Sequence, residues 1–303
     1  MKDLISIKDL DKKEIESVLK KAEDMENVIK ESKTLDTMKG KILSTLFFEP
    51  STRTKLSFSS AMHRLGGDVI GFEAIESSSI AKGESMTDTI KTVEKYCDAI
   101  VIRHSVEGAA RYASEITDKP VINAGDGTNQ HPSQTILDLY SIMRLKGKIE
   151  NQNITLLGDL KHARVMKPLA YALGMFNANL TLVSPFGLEL SPSFVNEIKE
   201  KFNKNIIQTN DILAGIRKAD VLYVSRIQKE RFEDPVEAER VQKAFRITPE
   251  MIEQANEEMI ILHALPKVTE IDPRIDKTKH ARYFEQVGFG IPVRMAILDM
   301  VMR

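Results

Sequence analysis

The segment Phe47-Phe48-Glu49-Pro50-Ser51-Thr52-Arg53-Thr54-Lys55-Leu56-Ser57-Phe58 carries an apolar run into three hydroxyl residues and an arginine, then into helical spacing. First-turn amides of a helix have no partner within it and point outward at the positive end of the dipole. Adding the hydroxyls of Ser51, Thr52 and Thr54 and the guanidinium of Arg53 makes this turn a cradle for an oxyanion such as a phosphate. A cap alone accounts for one hydroxyl, because an N-cap residue commits a single side-chain oxygen to the backbone. It leaves the other two and the arginine unexplained. The segment is not a Walker loop, since the chain has no Gly-x4-Gly-Lys-Ser/Thr. Glu49 is the odd member, because a carboxylate beside a phosphate seat is locally repulsive.

The elements that must position this turn follow from periodicity. Lys41–Phe48 reads as a strand, and Phe58, Ala61, Met62 and Leu65 repeat at helical spacing until Gly66-Gly67 stops them. Val69–Phe72, Ala99–Arg103 and Val121–Asn123 read as further short buried strands, and Pro132–Lys146 as a helix capped by Gly147. The alternation then restarts. Strands are expected at Asn153–Leu157, Leu180–Ser184, Val221–Ser225 and Ile260–His263, with helices at Ala163–Leu173 and Ser193–Phe202. Pro292–Met302 reads as a closing helix with proline in its first turn. Such alternation predicts an α/β fold of two doubly wound parallel-sheet lobes with helices on both faces, joined near Leu145–Gln152.

Composition bounds the rest. A chain of 303 residues makes about two domains. With 42% hydrophobic and 29% charged residues it is an ordinary globular sequence. Forty-three basic against 44 acidic residues argue against nucleic acid or an acidic membrane as a partner, while leaving room for a local cationic pocket. The charged start Met1-Lys2-Asp3 lacks a signal-peptide pattern, and the one cysteine, Cys97, forms neither an internal disulfide nor a cysteine-based metal site. A cytoplasmic setting is expected.

Ser51-Thr52-Arg53-Thr54 after a strand, with His131-Pro132-Ser133-Gln134 some eighty residues on, resembles the carbamoyltransferase family. The aspartate-using branch is the better likeness, and it runs essentially end to end. The segments that carry it are Ala81-Lys82-Gly83-Glu84-Ser85, Ile100-Val101-Ile102-Arg103-His104, Asn123-Ala124-Gly125-Asp126-Gly127 and Gly158-Asp159-Leu160-Lys161 with Arg164. Ser225-Arg226-Ile227-Gln228-Lys229-Glu230-Arg231, His263-Ala264-Leu265-Pro266, Asp276-Lys277-Thr278 and Tyr283-Phe284 complete it. The ornithine-using branch usually carries a cysteine in the segment corresponding to His263–Pro266, and an Asp-rich element for a cationic side chain. Here the second-substrate segment has Arg226 and Arg231 instead, and a carboxylate acceptor suits arginine's planar fork. Two departures stand out: many relatives have Pro at the place of Ala264 and Tyr-Gly at the place of His162-Ala163.

The resemblance implies transfer of a carbamoyl group from carbamoyl phosphate to L-aspartate, an early step of pyrimidine biosynthesis. The active site would lie in a cleft between the lobes. Residues 1–133 with a C-terminal helix at about 290–303 would bind carbamoyl phosphate, and residues 134–289 aspartate. Ser51, Thr52, Arg53 and Thr54 would hold the phosphate, while Arg103, His131 and Thr54 donate to the carbonyl oxygen as an oxyanion hole does. Gln134 and the carbonyls of Leu265 and Pro266 would orient the carbamoyl NH2, and Arg164, Arg226 and Gln228 would bind aspartate. Lys82 would reach both substrates from a Ser-rich loop together with Ser79, or with Ser78 as the alternative. Glu49 would bridge to Arg164 and Arg231 on domain closure. No metal, cofactor or enzyme nucleophile is implied.

In this family the Lys82 loop comes from the adjacent chain of a homotrimer, so the expected active site is shared. Some relatives also bind zinc-containing regulatory chains, a further class of partner that the resemblance allows. Two rival readings stay open: a transferase with another acceptor such as ornithine, and a non-catalytic scaffold of the same fold. The sequence argues against a nicotinamide-binding unit, because Gly288-x-Gly290 lacks the third glycine and opens no βαβ unit.

Overall fold

In the computed structural model, which describes residues 1–72 and 83–303, the apolar runs pair into two separate parallel sheets. The first contains β1 (Ile42–Phe47), β2 (Asp68–Phe72), β3 (Ala99–His104) and β4 (Val121–Asp126) in the order β2-β1-β3-β4. The second contains β5 (Asn153–Leu157), β6 (Asn179–Val183), β7 (Ile206–Thr209), β8 (Val221–Val224) and β9 (Ile260–His263) in the order β7-β6-β5-β8-β9. Helices cover both faces, as strand–helix alternation requires. Strands covered on both sides read as unbroken apolar runs, and Ala99–Ile102 is one, buried at every position.

Chain contacts divide the molecule into two compact units, Met1–Tyr140 with Phe289–Arg303 and Ser141–Gly288. In the first, Leu46, Ile100, Ile102 and Val121 pack with Ile90 and Ala110. In the second, Leu157, Leu222, Val224 and Ile261 pack with Ile216 and Tyr283. The strand order reverses once in each unit. After β1 the chain goes out to β2, then crosses to β3 on the other side of β1; after β5 it goes out through β6 and β7, then crosses to β8. Loops leaving the carboxyl ends of the two strands at such a switch point diverge and leave a crevice for a ligand.

Several expectations need correction. The C-terminal helix spans Tyr283–Val301, so it starts before the expected residue 290, and Pro292 lies inside it. Proline forfeits one intrahelical bond, but Tyr283 is fully buried in the second unit's core and its hydroxyl donates to Asp276. Tertiary packing there outweighs the local breaker. The chain passes between units at Tyr140–Ser141, inside the helix Pro132–Lys146, after the 133/134 division that the resemblance implies and before the joint near Leu145–Gln152 that the alternation suggests. An unbroken helix leaves no change of composition to mark such a point. β7 and the helix Lys12–Lys30 are additions, the latter opened by a reciprocal capping box between Asp11 and Glu14. Among the described residues no helix is long and apolar enough to cross a membrane. Cys97 is buried, and desolvation pushes its thiol up to about 11, as for an inert structural cysteine.

Gly158 shows how closely the second crossover is built. It follows β5 with φ at +119°, and a Cβ there would lie 2.1 Å from the carbonyl oxygen of Ser225, just past β8. Gly158→Ala is therefore expected to destabilise the chain by about 2 kcal/mol or more. The urea midpoint by circular dichroism checks this, and an unchanged midpoint refutes it.

Candidate active site

In the first unit the segment after β1 enters the helix Thr52–Arg64, whose first turn holds no acidic residue. Ser51 occupies the N-cap position in extended conformation, yet its side chain makes no cap hydrogen bond among the described residues. The plain capping role therefore does not use up the Ser51 hydroxyl. Thr54 is buried in the first turn, and desolvation lowers the pKa of Arg53 from its ordinary value. The far end is closed in Schellman fashion, with Gly67 N–H donating to Met62 C=O at 3.1 Å and Gly66 at φ +84°. A helix this well terminated presents its positive end to the loop.

Register brings the next cation beside it. Phe47 of β1 pairs with Arg103 of β3, and Phe48 N–H donates to the Arg103 carbonyl at 2.9 Å. The Arg103 guanidinium lies 2.7 Å from Glu49 and also donates to the Ala124 carbonyl at 3.4 Å. Glu49 is thus explained locally: it neutralises an arginine of its own unit. His104, next in β3, accepts from Val106 N–H at 2.9 Å and packs on Phe48, and burial lowers its pKa against the pull of Glu49 and Asp126. It is a structural histidine.

β4 delivers the third group. The buried Asp126 carboxylate accepts from Gly108 N–H (2.8 Å), Asn123 Nδ2 (2.9 Å), Gln130 N–H (3.1 Å) and Asn129 Nδ2 (3.2 Å). The first two bonds anchor the carboxylate, and the last two fold the 127–130 turn and so set down His131 at the start of the helix Pro132–Lys146. His131 is buried, its carbonyl caps Gln134 and Thr135, and its Nδ1 is 3.3 Å from Ser133 Oγ. Gln134 Nε2 donates to the buried Asp138 at 2.8 Å, leaving the amide oxygen as the end able to accept from a ligand NH2. Behind it Arg294 is fully buried, its pKa lowered by desolvation with Asp138 opposing, and its guanidinium lies over Phe58.

In the second unit the corresponding crossover carries the arginines. Asp159, fully buried after β5, accepts from His162 N–H at 2.9 Å and lies 3.2 Å from His162 Nδ1, shaping the turn that ends in Arg164. Arg226 follows β8 and holds Glu230 through both guanidinium nitrogens at 3.1 and 2.5 Å. The pair raises the Arg226 pKa and lowers that of Glu230. Gln228 sits at the N-cap of a 3-10 turn, Lys229–Arg231, and its side chain makes no cap bond among the described residues. Leu265 and Pro266 follow β9, with Leu265 at φ 57° and the Leu265–Pro266 peptide cis. No cluster of three or more His, Cys, Asp or Glu able to hold a metal occurs among the described residues.

Residues 2–144 match the family model of the aspartate/ornithine carbamoyltransferase carbamoyl-P binding domain, and residues 150–301 match that of the Asp/Orn binding domain. The chain belongs to the aspartate/ornithine carbamoyltransferase family. The aspartate carbamoyltransferase catalytic subunit of Thermococcus kodakarensis is 54% identical over 301 residues, covering 99% of this chain and 97% of the relative. The catalytic subunit of M. jannaschii aspartate transcarbamoylase superposes with a TM-score of 0.93 at 48% identity, over 99% of this chain and 98% of that one. Aspartate transcarbamoylase from Trypanosoma cruzi, solved in complex with carbamoyl phosphate and aspartate, gives 0.93 at 32% identity over 99% and 95%.

Ser51–Thr54, Arg103, His131 and Gln134 therefore follow β1, end β3 or follow β4 of one sheet, while Arg164, Arg226, Gln228, Leu265 and Pro266 follow β5, β8 and β9 of the other. Glu49 and Arg231 lie in different units. Lys82, Ser78 and Ser79 lie outside the described residues. Sequence reasoning missed Asp126, Asp138 and Glu230 as organisers of this carbamoyltransferase chain. A sequence signal existed for Asp138, which lies four residues after Gln134 on one helix; Glu230 follows Arg226 through a loop, where that spacing carries no helical meaning. The Asp126 hub joins groups from three segments and has no such signal.

Proposed function

We propose that this chain transfers the carbamoyl group of carbamoyl phosphate to the amino group of L-aspartate, yielding N-carbamoyl-L-aspartate and phosphate. The observation that carries the reading is the turn at the mouth of the helix Thr52–Arg64, where hydroxyls and a guanidinium meet at a sheet crossover beside Arg103. Carbamoyl phosphate is a dianion with a carbonyl and an NH2. The first unit supplies donors for the phosphate from Ser51, Thr52, Arg53 and Thr54. Thr54, Arg103 and His131 donate to the carbonyl oxygen, where negative charge grows in the transition state. Gln134 Oε1 and the Leu265 and Pro266 carbonyls accept from the NH2.

Arg164, Arg226 and Gln228 of the second unit take the aspartate carboxylates. The Arg226–Glu230 fork supports this choice, because that guanidinium already holds one carboxylate in bidentate geometry. Lys82, with Ser79 or Ser78, serves both substrates, contributed by a neighbouring copy in a homotrimer. The positive surroundings favour the neutral amine over the ammonium form. Its lone pair attacks the carbonyl carbon, the bond to the phosphate oxygen breaks, and the departing phosphate accepts the amine proton. Orientation and electrostatics then carry the rate.

Purified chain incubated with carbamoyl phosphate and aspartate is expected to form carbamoylaspartate; ornithine carbamoylated in its place, or no product, refutes the reading. Glu49 also bridges to Arg164 and Arg231 on closure. Glu49→Gln should then raise the aspartate concentration for half-maximal rate about tenfold, with carbamoyl phosphate much less affected. Equal effects on both substrates would count against the bridge. For the shared site, Lys82→Ala chains mixed with Arg53→Ala chains should recover part of the activity that each lacks alone. No recovery at any mixing ratio would mean that each copy is self-contained.

A further inference from the structure

The loop after β9 is held in a conformation its sequence resists. Leu265 has φ 57°, the left-handed region in which a Cβ crowds the backbone and where a γ-branched leucine has no side-chain oxygen to compensate. Such a residue persists where its surroundings over-determine it. Its amide N–H donates to His263 Nδ1 at 2.7 Å. A ring nitrogen that accepts carries no proton, so the imidazole proton is on Nε2. Nε2 lies 2.7 Å from Glu270 Oε1, and neither atom has another hydrogen-bond partner among the described residues.

Both side chains are 4% exposed, so this is a buried imidazole facing a buried carboxylate. The carboxylate is itself anchored by the N–H groups of Val268 (3.0 Å) and Thr269 (2.9 Å). The Glu270 carbonyl accepts from Ile247 N–H at 2.8 Å, and His263 N–H donates to Gln286 at 2.8 Å. Burial works to raise the Glu270 pKa, but the histidine and the backbone amides of Glu270 and Val268 outweigh it and leave it below its ordinary value. Burying an imidazole and a carboxylate together is unfavourable compared with an apolar pair of similar volume, unless their polarity does something an apolar pair does not.

We propose that His263 and Glu270 are positioning residues: the carboxylate orients the imidazole, and the imidazole grips the Leu265 amide so that the Leu265 carbonyl faces the carbamoyl NH2. The grip fixes the plane of the 264–265 peptide, and φ at 57° then sets where the Leu265 carbonyl carbon lies. The proposal rests on the reading of Leu265 as a ligand of the carbamoyl group. The grip itself is measurable without it.

Two substitutions separate the two halves of the device. In His263→Asn the amide oxygen takes the place of Nδ1, so the Leu265 bond survives and the Glu270 contact is lost. In His263→Gln the terminal amide takes the place of Nε2, so Glu270 keeps a partner and Leu265 loses its acceptor. Hydrogen exchange of the Leu265 amide, measured on the full chain, should stay slow in His263→Asn and quicken at least tenfold in His263→Gln. His263→Gln should raise the KM for carbamoyl phosphate about tenfold, with inhibition by inorganic phosphate unchanged, because the phosphate seat is elsewhere. His263→Asn should restore most of that loss. Equal damage in both variants, unchanged exchange in His263→Gln, or phosphate inhibition weakened in parallel would overturn the proposal. Circular dichroism verifies folding; should either variant unfold, Glu270→Leu, which removes the acceptor that orients the imidazole, must still quicken Leu265 exchange. Quickened exchange with an unchanged KM would retain the grip and discard Leu265 as a carbamoyl ligand. Wild-type chain that makes no carbamoylaspartate fails the functional reading alone.

Discussion

A parallel sheet whose strand order reverses sends two neighbouring loops to opposite faces, and the carboxyl ends of those strands are left open between them. That constraint governs this chain twice. In the first unit the reversal falls between β1 and β3, and it opens onto the hydroxyl-rich turn and Arg103. In the second it falls between β5 and β8, and it opens onto Arg164 and Arg226. Charge is thus concentrated where the backbone topology leaves room for it, and the rest of each sheet can be apolar.

Arginines gathered this way repel one another, and each crossover answers with a carboxylate. Arg103 has Glu49 and Arg226 has Glu230. The Arg103 guanidinium, largely shielded from water, is thereby spared the desolvation penalty of a bare ion; the exposed Arg226–Glu230 pair is held in a defined fork instead. The surrounding shell follows the same logic at longer range. Asp126 collects four donors to shape the turn before His131, and Asp138 fixes which end of Gln134 faces outward. These acids fix the geometry of the groups to which the proposal gives the substrate contacts.

Much of this was legible in the sequence, for identifiable reasons. Asn153–Leu157, Ile260–His263 and Pro132–Lys146 were read to their observed ends, because apolar runs and helical spacing there are bounded by turn or breaker residues. β7 escaped notice because its pattern is half exposed: Ile206 is buried, while Ile207 and Gln208 are not. Pro292 misplaced the start of the last helix, since a proline rule that holds for isolated segments yields to the core around Tyr283. For the site, residue types and spacing point to the phosphate turn, and likeness to a family supplies the remaining expectations. What neither disclosed were the long-range partners. Glu49 with Arg103 is 54 residues apart, and such pairs exist only once the strands are in register.

The first unit is discontinuous in the chain, since it closes with Phe289–Arg303 after the whole second unit has intervened. Arg294, which lies behind Asp138 and against Phe58 of the phosphate-turn helix, belongs to that late segment. During synthesis on the ribosome the Ser141–Gly288 unit can therefore complete its core while its predecessor still lacks a helix. The half that matches the carbamoyl-P binding domain is begun first and finished last, and a nascent chain that stalls before Phe289 would hold one mature sheet and one with part of its interior open to water.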